Sequence, residues 1–243
     1  MSTRNAHRTR PGSAQAPGLA ALAGLIADET RAAFLLALLD GRAWTAGELA
    51  RYGGVAASTA SEHLGKLVAG GLLAEERQGR HRYVRLADAR VAQLIEDLAA
   101  HVAPSAGRPR GLRESSAGSA MARGRTCYDH LAGRLGIAIT NALTALGLLR
   151  QHAGFALTDD GLAWFDDHGI PLVRTGRRPL ARACLDWTER RPHLAGVAGA
   201  TLCRHALDAG WCVRIGSERA VKVTDKGEQA FAELLGIEPA TLH

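Results

Sequence analysis

Residues 45–86 decide the fold, and they read TAGELARYGGVAASTASEHLGKLVAGGLLAEERQGRHRYVRL. Thr45 and Glu48 have the Thr-x-x-Glu spacing in which each side chain satisfies a backbone donor in the first turn of a helix. Gly53 and Gly54 then predict the end of that helix and a tight turn. The stretch is therefore expected to open with a short helix that ends at a glycine turn.

A second helix is predicted directly after this turn. Ser58 is expected to cap it, because a serine hydroxyl accepts a hydrogen bond from a backbone N–H of the first turn. The apolar positions Leu64, Leu67 and Val68 repeat at three- and four-residue spacing, which is typical of one buried helical face. The glycine pair at 70–71 predicts the end of this helix.

A hairpin with a basic tip completes the stretch. Residues 72–73 and 83–86 are predicted strands, and residues 77–82 join them. Helix, turn, helix and hairpin in this order predict a winged helix-turn-helix. In that fold the second helix enters the major groove of DNA, while basic side chains of the wing contact phosphates.

The second helix and the wing carry residue types that suit DNA. Short hydroxyls at the start of a helix reach base edges or phosphates, and arginines at a hairpin tip neutralise phosphates. The helix-turn-helix directly before the hairpin favours DNA contact over a merely solvated basic surface. The predicted DNA-contacting residues are Ser58, Thr59, Ser61, His63 and Lys66 on the helix and Arg77, Arg80, His81 and Arg82 on the wing.

Five segments of the N-terminal half share one family pattern. They are Asp28-Glu29-Thr30-Arg31, FLLALLDG at 34–41, Thr45-x-x-Glu48-Leu49-Ala50, Ser58-Thr59-x-Ser61-x-His63-Leu64 and Leu67-x-x-x-Gly71-Leu72. Through them the chain resembles the ArsR/SmtB family of bacterial winged-helix repressors over residues 19–102, although Glu29 stands where a proline is common. The resemblance implies a homodimer that blocks transcription until an inducer, often a metal ion, releases it.

The metal sites of that family do not carry over to this half. One of them uses a Cys-x-Cys pair in the first helix of the helix-turn-helix, where this chain has Glu-Leu-Ala-Arg-Tyr at 48–52. Another uses an Asp-x-His and a His-x-x-Glu/His arrangement on the last helix, but here Asp88 is followed by Arg90 and His101 by Pro104. A lone aspartate and a lone histidine cannot complete a four-ligand zinc site. The DNA-binding half therefore predicts a repressor and does not predict metal sensing.

Composition indicates a cytoplasmic protein with a polyanionic partner and no membrane partner. The formal net charge is +6 and the pI about 9.6. Four cysteines without paired spacing indicate a reducing compartment. The uncharged run at 135–149 contains three polar residues and is shorter than the roughly 18 apolar residues of a membrane span. Residues 18–27 are instead expected to form a core helix with one apolar face, made of Leu19, Leu22, Leu25 and Ile26.

The chain divides into four predicted segments. Residues 1–17 are expected to be a disordered basic tail, 18–103 a winged helix-turn-helix with a dimerisation helix, 104–124 a linker, and 125–243 a C-terminal sensor or oligomerisation domain. Asp88 is predicted to cap the last helix of the first domain. The apolar stripe of that helix suits a dimer seam or packing on the C-terminal half. Its residues are Val91, Leu94, Ile95 and Leu98.

The C-terminal half contains an internal repeat. His-Leu-Ala-Gly-x-x-Gly occurs at 130–136 and again at 193–199, and Leu-Thr-Asp-Asp-Gly at 157–161 matches Val-Thr-Asp-Lys-Gly at 223–227. The conserved order and spacing predict two copies of a helix–helix–strand–helix unit, each a degenerate winged-helix-like repeat. In each copy the Thr-Asp-x-Gly element is expected to end a strand and cap the next helix.

Cys127 and His130 are the first candidates for an effector site. They lie three residues apart, on one face if the segment is helical, and thiolate with imidazole suits a soft metal ion such as Zn²⁺ or Cd²⁺. Three explanations stay open: structural residues whose repeated histidines bond within their own units, a metal or redox site, and a small organic ligand between the units. The other reactive residues of this half are Cys184, His193, Cys203, His205 and Cys212.

The whole sequence predicts a mainly α protein with small β-hairpin wings. Its expected function is that of a homodimeric DNA-binding transcriptional regulator, a repressor that an unknown effector releases. One alternative is a metal- or thiol-responsive repressor that uses Cys127 and His130. An alternative of another class is a ligand-binding or enzymatic C-terminal domain with the winged helix as a protein-interaction module. No catalytic residues are predicted, because no Gly-x-Ser-x-Gly, phosphate-binding loop or His-Glu-x-x-His motif occurs.

Overall fold

The structure is a computed structural model that describes residues 15–78, 81–102, 112–152, 154–174, 176–216 and 219–242. The chain divides into two compact units. The first unit combines residues up to Leu38 with Ala43–Ala87, and the second combines Leu39–Arg42 with Asp88–His243. None of the helices in the described ranges is long and apolar enough to cross a membrane.

In the described part of the first unit, the helices are α1 (Ala16–Ile26), α2 (Glu29–Ala37), α3 (Ala46–Gly53) and α4 (Ala57–Ala69). Helix α3 begins as predicted. The Thr45 hydroxyl accepts a hydrogen bond from the Glu48 N–H at 3.2 Å, and the Glu48 carboxylate accepts one from the Thr45 N–H at 2.8 Å. Gly54 ends α3 with φ of 67°, a left-handed conformation that glycine adopts without steric penalty.

The start of α4 differs from the prediction. Its N-cap is Ala56, which has no side-chain hydrogen bond to offer, so Ser58 is the second residue of the helix and the predicted cap is wrong. The buried face of α4 is as predicted, since Leu64 and Leu67 lie in the core together with Phe34 of α2.

Helix α1 is not the core helix that its sequence predicts. None of its residues is buried, and Leu19 is 68% exposed. Leu25 lies against Gly70 at the end of α4, close enough that a Cβ at Gly70 would collide with it. The helix begins at Ala16, inside the predicted tail, and residues 1–14 of that tail lie outside the described residues.

Three strands complete the first unit: β1 (Trp44–Thr45), β2 (Leu73–Gln78) and β3 (His81–Leu86). They form one antiparallel sheet in the order β1-β3-β2. The hairpin is longer than predicted, because Leu73 pairs with Leu86 and the pairing continues to Gln78 and His81. The unit is therefore a winged helix-turn-helix, in agreement with the sequence.

The helices of the second unit are α5 (Ala89–Ala100), α6 (Leu112–Arg123), α7 (Gly133–Ala145), α8 (Asp159–Asp167), α9 (Gly196–Asp208) and α10 (Asp225–Leu235). Asp88 caps α5 as predicted, because its carboxylate accepts hydrogen bonds from the N–H groups of Arg90 and Val91. Helix α6 corrects the predicted linker at 104–124, of which residues 104–111 lie outside the described part. Short 3₁₀ turns occupy Leu38–Asp40 and Pro239–Leu242.

Helix α5 packs within the second unit. Its residues Ala92, Ile95 and Glu96 are buried there, while Leu98 is 44% exposed. The two compact units therefore divide after Ala87 and not after residue 103. Packing on the C-terminal half was one of the two expectations for this helix, and the exposed Leu98 keeps part of its apolar stripe accessible.

Four two-stranded antiparallel hairpins alternate with the helices of the second unit. They are β4 (Arg125–Cys127) with β5 (His130–Ala132), β6 (Leu149–Arg150) with β7 (Ala156–Leu157), β8 (Arg182–Leu185) with β9 (Pro192–Ala195), and β10 (Cys212–Arg214) with β11 (Val221–Val223). The order hairpin, helix, hairpin, helix thus occurs twice. Each copy opens with a hairpin where the sequence predicts a helix.

Both copies share one hydrophobic core. Phe165 of α8 and Phe231 of α10 are almost completely buried in the same cluster, together with Leu143 of α7. The second helix of each copy begins as predicted, because Thr158 and Thr224 accept hydrogen bonds from N–H groups three residues ahead. The shared core makes the second unit one folding body whose first hairpins, β4–β5 and β8–β9, occupy equivalent places in the two copies.

Candidate functional site

The exposed face of α4 carries several of the predicted DNA-contacting residues. Ser58, Ser61 and Lys66 are exposed, and Thr59 is half-buried. The Ser61 hydroxyl donates to the Ala57 carbonyl at 2.9 Å, and its oxygen keeps acceptor capacity. Lys66 forms an ion pair with Glu62 one turn earlier, with 2.6 Å between Nζ and Oε1.

His63 lies differently from the other predicted residues of α4. It is half-buried, and its Nδ1 atom lies 3.5 Å from a carboxylate oxygen of Asp28 and 3.3 Å from a guanidinium nitrogen of Arg31. Arg31 is itself held by the carbonyl of Leu25 at 2.6 Å. These contacts join α4 to the start of α2. The side chain of His63 therefore packs within the first unit and does not extend into solvent.

The wing presents arginines on both of its strands. Arg77 of β2 and Arg82 of β3 are exposed, and they are direct register partners. Arg82 also pairs with Glu75, the carboxylate on the neighbouring part of β2. Of the remaining predicted wing residues, Arg80 and the side chain of His81 lie outside the described part of the chain.

The second unit brings together two cysteines and two histidines. Cys127, His130, Cys184 and His193 are all buried, and their ligating atoms lie within 4.8 Å of one another. In the hairpin β4–β5, Cys127 is the register partner of His130, and in β8–β9 Cys184 is the register partner of His193. The two equivalent hairpins therefore contribute one cysteine and one histidine each. We call these four residues the Cys/His cluster.

The cluster corrects two predictions. Cys127 and His130 are not on a helical face, because a turn at Tyr128 with φ of 58° folds the segment into a hairpin. The repeated histidines also do not bond only within their own copies, since the Nε2 atoms of His130 and His193 lie 3.1 Å apart. The Sγ atoms of Cys127 and Cys184 lie 3.9 Å apart.

Each histidine of the cluster has a carboxylate behind it. The Nδ1 atom of His130 lies 3.3 Å from Oδ1 of Asp129, and Nδ1 of His193 lies 3.0 Å from Oδ2 of Asp186. The second contact is close enough for an ion pair, although it lacks the alignment of a hydrogen bond. Arg178 holds Asp129 in place with two hydrogen bonds, at 2.5 and 2.9 Å.

A fully buried ion network fixes Asp186. One of its oxygens accepts from Arg125 at 3.0 Å, and the other accepts from the Gly133 N–H at 2.7 Å. Arg125 continues to Glu96 of α5 at 3.2 Å, and Glu96 also accepts from Arg219 at 2.6 Å. Burial would raise the pKa of Glu96, but the charges of Arg219 and Arg125 outweigh burial and lower it.

The Sγ atoms of Cys127 and Cys184 contact each other, and the pKa values of the two thiols shift in opposite directions. The contact with Cys127, aided by those with His130 and His193, lowers the pKa of the Cys184 thiol. The same contact and burial raise the pKa of Cys127. Burial lowers the pKa of His193, but its contacts with Asp186 and Cys184 outweigh burial and raise it. These contacts therefore favour loss of a proton from Cys184 over loss of one from Cys127.

Two glycines of the repeated motif let the histidines approach each other. Gly136 of α7 lies so close to the preceding strand that a Cβ there would be 2.5 Å from the Leu131 carbonyl oxygen and 3.5 Å from the Cβ of His193. Gly199 of α9 is equivalent, with 2.4 Å to the Leu194 carbonyl oxygen and 3.2 Å to the Cβ of His130. The repeated His-Leu-Ala-Gly-x-x-Gly motif therefore encodes both a cluster histidine and the glycine that makes room for its counterpart.

The other two cysteines lie outside the cluster. Burial raises the pKa of Cys203 and of Cys212 to about 12, so both are held as neutral thiols. His205, between them in sequence, contacts the Trp211 ring edge-on with 4.8 Å between ring centroids. The sequence indicates Cys203, His205 and Cys212 as reactive residues together with Cys184 and His193, but it does not show which of them belong to one site. The internal repeat is the signal that could distinguish them, because His193 is the repeat equivalent of His130.

The second unit also contains a cavity of about 370 Å³. It is mainly apolar, with Leu135, Ile215 and Val221 in its wall and the basic side chains of Arg123 and Lys222 beside them. None of the cluster residues lines it. The cavity offers a place for a small organic anion, whereas the Cys/His cluster offers the chemistry of a soft metal ion or of a dithiol.

Comparison with known proteins places the chain among regulators. A family model described as a helix-turn-helix domain matches residues 26–76. The uncharacterized HTH-type transcriptional regulator YdfF of Bacillus subtilis (strain 168) is 40% identical over 225 residues, which are 91% of this chain and 99% of YdfF.

The solved structures that match cover less than half of the chain. Reduced HlyU from Vibrio cholerae N16961 is 26% identical, covers 37% of this chain and 94% of its own, and has a TM-score of 0.34. The cadmium metal-sensor CMTR from Mycobacterium tuberculosis is 32% identical, covers 39% of this chain and 99% of its own, and has a TM-score of 0.31.

Proposed function

Because the chain belongs to the helix-turn-helix transcriptional regulators and its N-terminal segments resemble the ArsR/SmtB family, we propose that it is a homodimeric repressor that leaves double-stranded DNA when an effector binds. Family membership makes the chain a DNA-binding regulator. The proposal adds the homodimer, the direction of regulation and the groups that contact DNA, with α4 in the major groove and the β2–β3 wing on the phosphates.

The observation that carries the proposal is the pair of arginines on the wing. Arg77 and Arg82 are exposed and directly opposite each other. Like charges in this position destabilise a hairpin, unless an anion lies beside them. Glu75 supplies one negative charge to Arg82, and a DNA phosphate would supply another. Such phosphate contacts provide much of the affinity of a DNA-binding protein.

Helix α4 supports the same proposal. Ser58 lies exposed in the first turn, where backbone N–H groups and a short hydroxyl favour phosphates or base edges. Ser61 and Lys66 follow three and eight residues after Ser58 and are also exposed. We assign His63 a supporting role, because it is tied to Asp28 and Arg31.

The test is binding of the full-length protein to the DNA upstream of its own reading frame, followed by fluorescence anisotropy across salt concentrations. Arg77→Ala and Arg82→Ala are each expected to weaken binding to every sequence and to reduce the salt slope by about one. Arg150→Ala removes an exposed arginine from β6 of the second unit and is the matched control. Wing variants that bind like the parent at every salt concentration would contradict the role of the wing.

Specific recognition is tested with α4. Ser61→Ala should weaken binding to the specific site by roughly 1–3 kcal/mol and leave binding to unrelated DNA unchanged. The two affinities are measured with the same protein preparation on a specific and a scrambled duplex. Equal losses on both duplexes would show that Ser61 does not read bases.

The homodimer is proposed to use the exposed part of α5. Leu98 is 44% exposed on the apolar stripe of that helix, where Leu98→Glu would place a charge in the seam. Sedimentation velocity is expected to give a dimer for the parent and a monomer for this variant, with unchanged circular dichroism. A monomeric parent that still binds DNA specifically would overturn the dimer.

The effector is proposed to act on the second unit through the site that contains Cys127 and His130. The Cys/His cluster supports this proposal, because buried thiolate and imidazole groups bind soft metal ions or respond to oxidants. All four cysteines are free, which suits the reducing cytoplasm that we propose as its location. DNA binding that Zn²⁺, Cd²⁺ or a thiol oxidant abolishes would identify the effector class.

A further inference from the structure

The Cys/His cluster has the composition of a closed metal site. Two sulfur and two nitrogen ligands of the kind that zinc prefers come from four different strands. Their side chains are between 0% and 5% exposed, and the small residues Ala132 and Ala195 lie beside the cysteines. Four groups that solvent does not reach therefore converge on one point.

The sulfur–sulfur and nitrogen–nitrogen spacings of the cluster are those of a tetrahedral site. Zinc–sulfur bonds of about 2.3 Å and zinc–nitrogen bonds of about 2.0–2.1 Å place two sulfurs about 3.8 Å apart and two nitrogens about 3.3 Å apart. The structure has 3.9 Å between the Sγ atoms of Cys127 and Cys184 and 3.1 Å between the Nε2 atoms of His130 and His193. Both spacings agree with a tetrahedral site to within about 0.2 Å.

The carboxylates orient the histidines for metal binding. Metal-bound histidines usually direct the other ring nitrogen at a carboxylate, which fixes the tautomer. Asp129 and Asp186 lie at the Nδ1 atoms of His130 and His193. If both Nδ1 atoms carry protons, the Nε2 lone pairs of the two rings point at each other across 3.1 Å. A cation between them removes this repulsion.

Charge balance also favours a divalent ion. A divalent ion with two thiolates has no net charge, so burying it costs less than burying unpaired ions. Asp186 is already balanced by Arg125, and Glu96 by Arg125 and Arg219. Because these arginines already pair with carboxylates, the charge of the two thiolates would be neutralised by the metal ion.

We infer that Cys127, His130, Cys184 and His193 bind one divalent ion of the zinc class, Zn²⁺ or Cd²⁺, in a tetrahedral site between the two copies of the repeat. The ligands are the Sγ atoms of the cysteines and the Nε2 atoms of the histidines. The inference rests on the proposed function and deepens it by identifying this ion as the effector, but ion binding itself is measured without DNA.

Gln93 connects the site to α5. Its amide oxygen lies 2.9 Å from Sγ of Cys127, which donates to it, and its amide nitrogen lies 3.7 Å from Sγ of Cys184. The same nitrogen donates to Asp97, one turn along α5, at 2.7 Å. A sulfur bound to an ion carries no proton and cannot donate to the amide oxygen. Ion binding therefore breaks the bond between Cys127 and Gln93, and α5 changes its contacts with the cluster.

The first experiment titrates Co²⁺ into reduced, chelator-treated full-length protein. Co²⁺ reports a tetrahedral site through strong visible absorption and reports thiolate ligands through charge-transfer bands in the near ultraviolet. We expect both signals to saturate at one ion per chain, a stoichiometry that native mass spectrometry checks, and Zn²⁺ to abolish them. The absence of these bands, with both cysteines shown to be reduced by thiol counting, would overturn the metal site.

Variants decide which residues bind the ion. Cys184→Ser should lose most of the charge-transfer absorption, whereas Cys203→Ser changes a buried cysteine outside the cluster and should keep it. His130→Cys replaces one ligand with another and should retain a tetrahedral spectrum with stronger charge transfer, which a misfolded protein could not show. Equal spectra for Cys184→Ser and the parent, or loss of binding in Cys203→Ser, would contradict the assignment.

The link to α5 is tested on DNA. Addition of Zn²⁺ should weaken binding of the parent at least tenfold, and Gln93→Leu should keep the Co²⁺ spectrum while losing this response. A response of Gln93→Leu equal to that of the parent would overturn the link. If neither the parent nor the variants bind DNA but the Co²⁺ spectrum is intact, the proposed repressor function is wrong and the metal site is still supported.

Discussion

The two units of the molecule treat charged side chains in opposite ways. The winged helix exposes its basic groups, and the guanidinium-bearing side chain of Arg82 is 44% exposed although it pairs with Glu75. The second unit buries Arg125 and Asp186 completely and Glu96 almost completely. One unit keeps its charges available to an external polyanion, whereas the other uses them internally.

This difference in burial shows which charged side chains depend on protein partners for their stability. A surface ion pair contributes little to stability, because water solvates both partners. A buried charge without its partners costs several kcal/mol, so its surroundings must be complete. Arg125 meets this condition with the Met121 carbonyl, Thr188, Glu96 and Asp186. The surroundings of the Cys/His cluster are therefore far more constrained than those of the wing.

The largest expected effect follows from removing the buried guanidinium. Arg125→Met keeps an unbranched apolar stem as far as the Nε position but removes the guanidinium, so Glu96 and Asp186 lose a main partner. We expect the free energy of unfolding of the second unit to fall by about 3–5 kcal/mol. Urea unfolding followed by tryptophan fluorescence measures it, since Trp187 lies beside Arg125 with 5.3 Å between the guanidinium and the ring centroid.

The matched control for this comparison is on the wing. Arg82→Met breaks the exposed pair with Glu75, and we expect a change within about 0.5 kcal/mol. A loss of similar size in both variants would show that burial does not distinguish the two units.

The next effect concerns the close approach of the two hairpins. In Gly199→Ala, the new methyl group would lie 2.4 Å from the Leu194 carbonyl oxygen and 3.2 Å from the Cβ of His130. Overpacking of this kind costs about 1–3 kcal/mol, and the displaced histidine should also weaken Co²⁺ binding. The control is Gly65→Ala, in an exposed part of α4 with no atom within 4 Å of the new Cβ. It should be neutral or stabilising by up to about 1 kcal/mol.

Local sequence signals were sufficient for most of the first unit. The capping box of Thr45 and Glu48 and the left-handed Gly54 involve residues within one or two turns of one another, so spacing predicts them. The start of α4 was misplaced, because Ser58 is a good cap by composition but Ala56 has the extended backbone that precedes the helix. The apolar face of α1 predicts that the helix is buried. That prediction is wrong, because an apolar face in the sequence does not show whether another element of the fold covers it.

The Cys/His cluster was only half predictable. Cys127 and His130 were identified as candidates, but three-residue spacing suits both a helix and a tight hairpin, and the hairpin is what forms. Their partners Cys184 and His193 lie 57 and 63 residues further along the chain. Local spacing rules do not relate residues so far apart in the chain. The internal repeat does relate the two histidines, because it places His130 and His193 at equivalent positions.

A smaller effect tests the capping assignment in the first unit. Thr45→Ala removes the hydroxyl that accepts from the Glu48 N–H, and we expect a loss of about 1 kcal/mol in the free energy of unfolding. Ser58→Ala is the matched control, since Ser58 does not cap α4 and its removal should change stability by less than about 0.5 kcal/mol. A larger loss for Ser58→Ala than for Thr45→Ala would reverse the assignment.

The smallest expected effect has the opposite sign and concerns the wing. Arg77→Gln removes one of two like charges that face each other across β2–β3, so we expect thermal stability at low salt to rise by about 0.2–1 kcal/mol. High salt screens exposed charges and should remove most of this gain. The same variant should bind DNA more weakly, because one phosphate contact is lost. Arg150→Gln, at an exposed position of β6 in the second unit, should change neither property. If Arg77→Gln is more stable and binds DNA more weakly, Arg77 destabilises the hairpin and serves to bind an external anion. If the variant is instead less stable, the guanidinium of Arg77 stabilises the fold, as that of Arg125 does in the second unit.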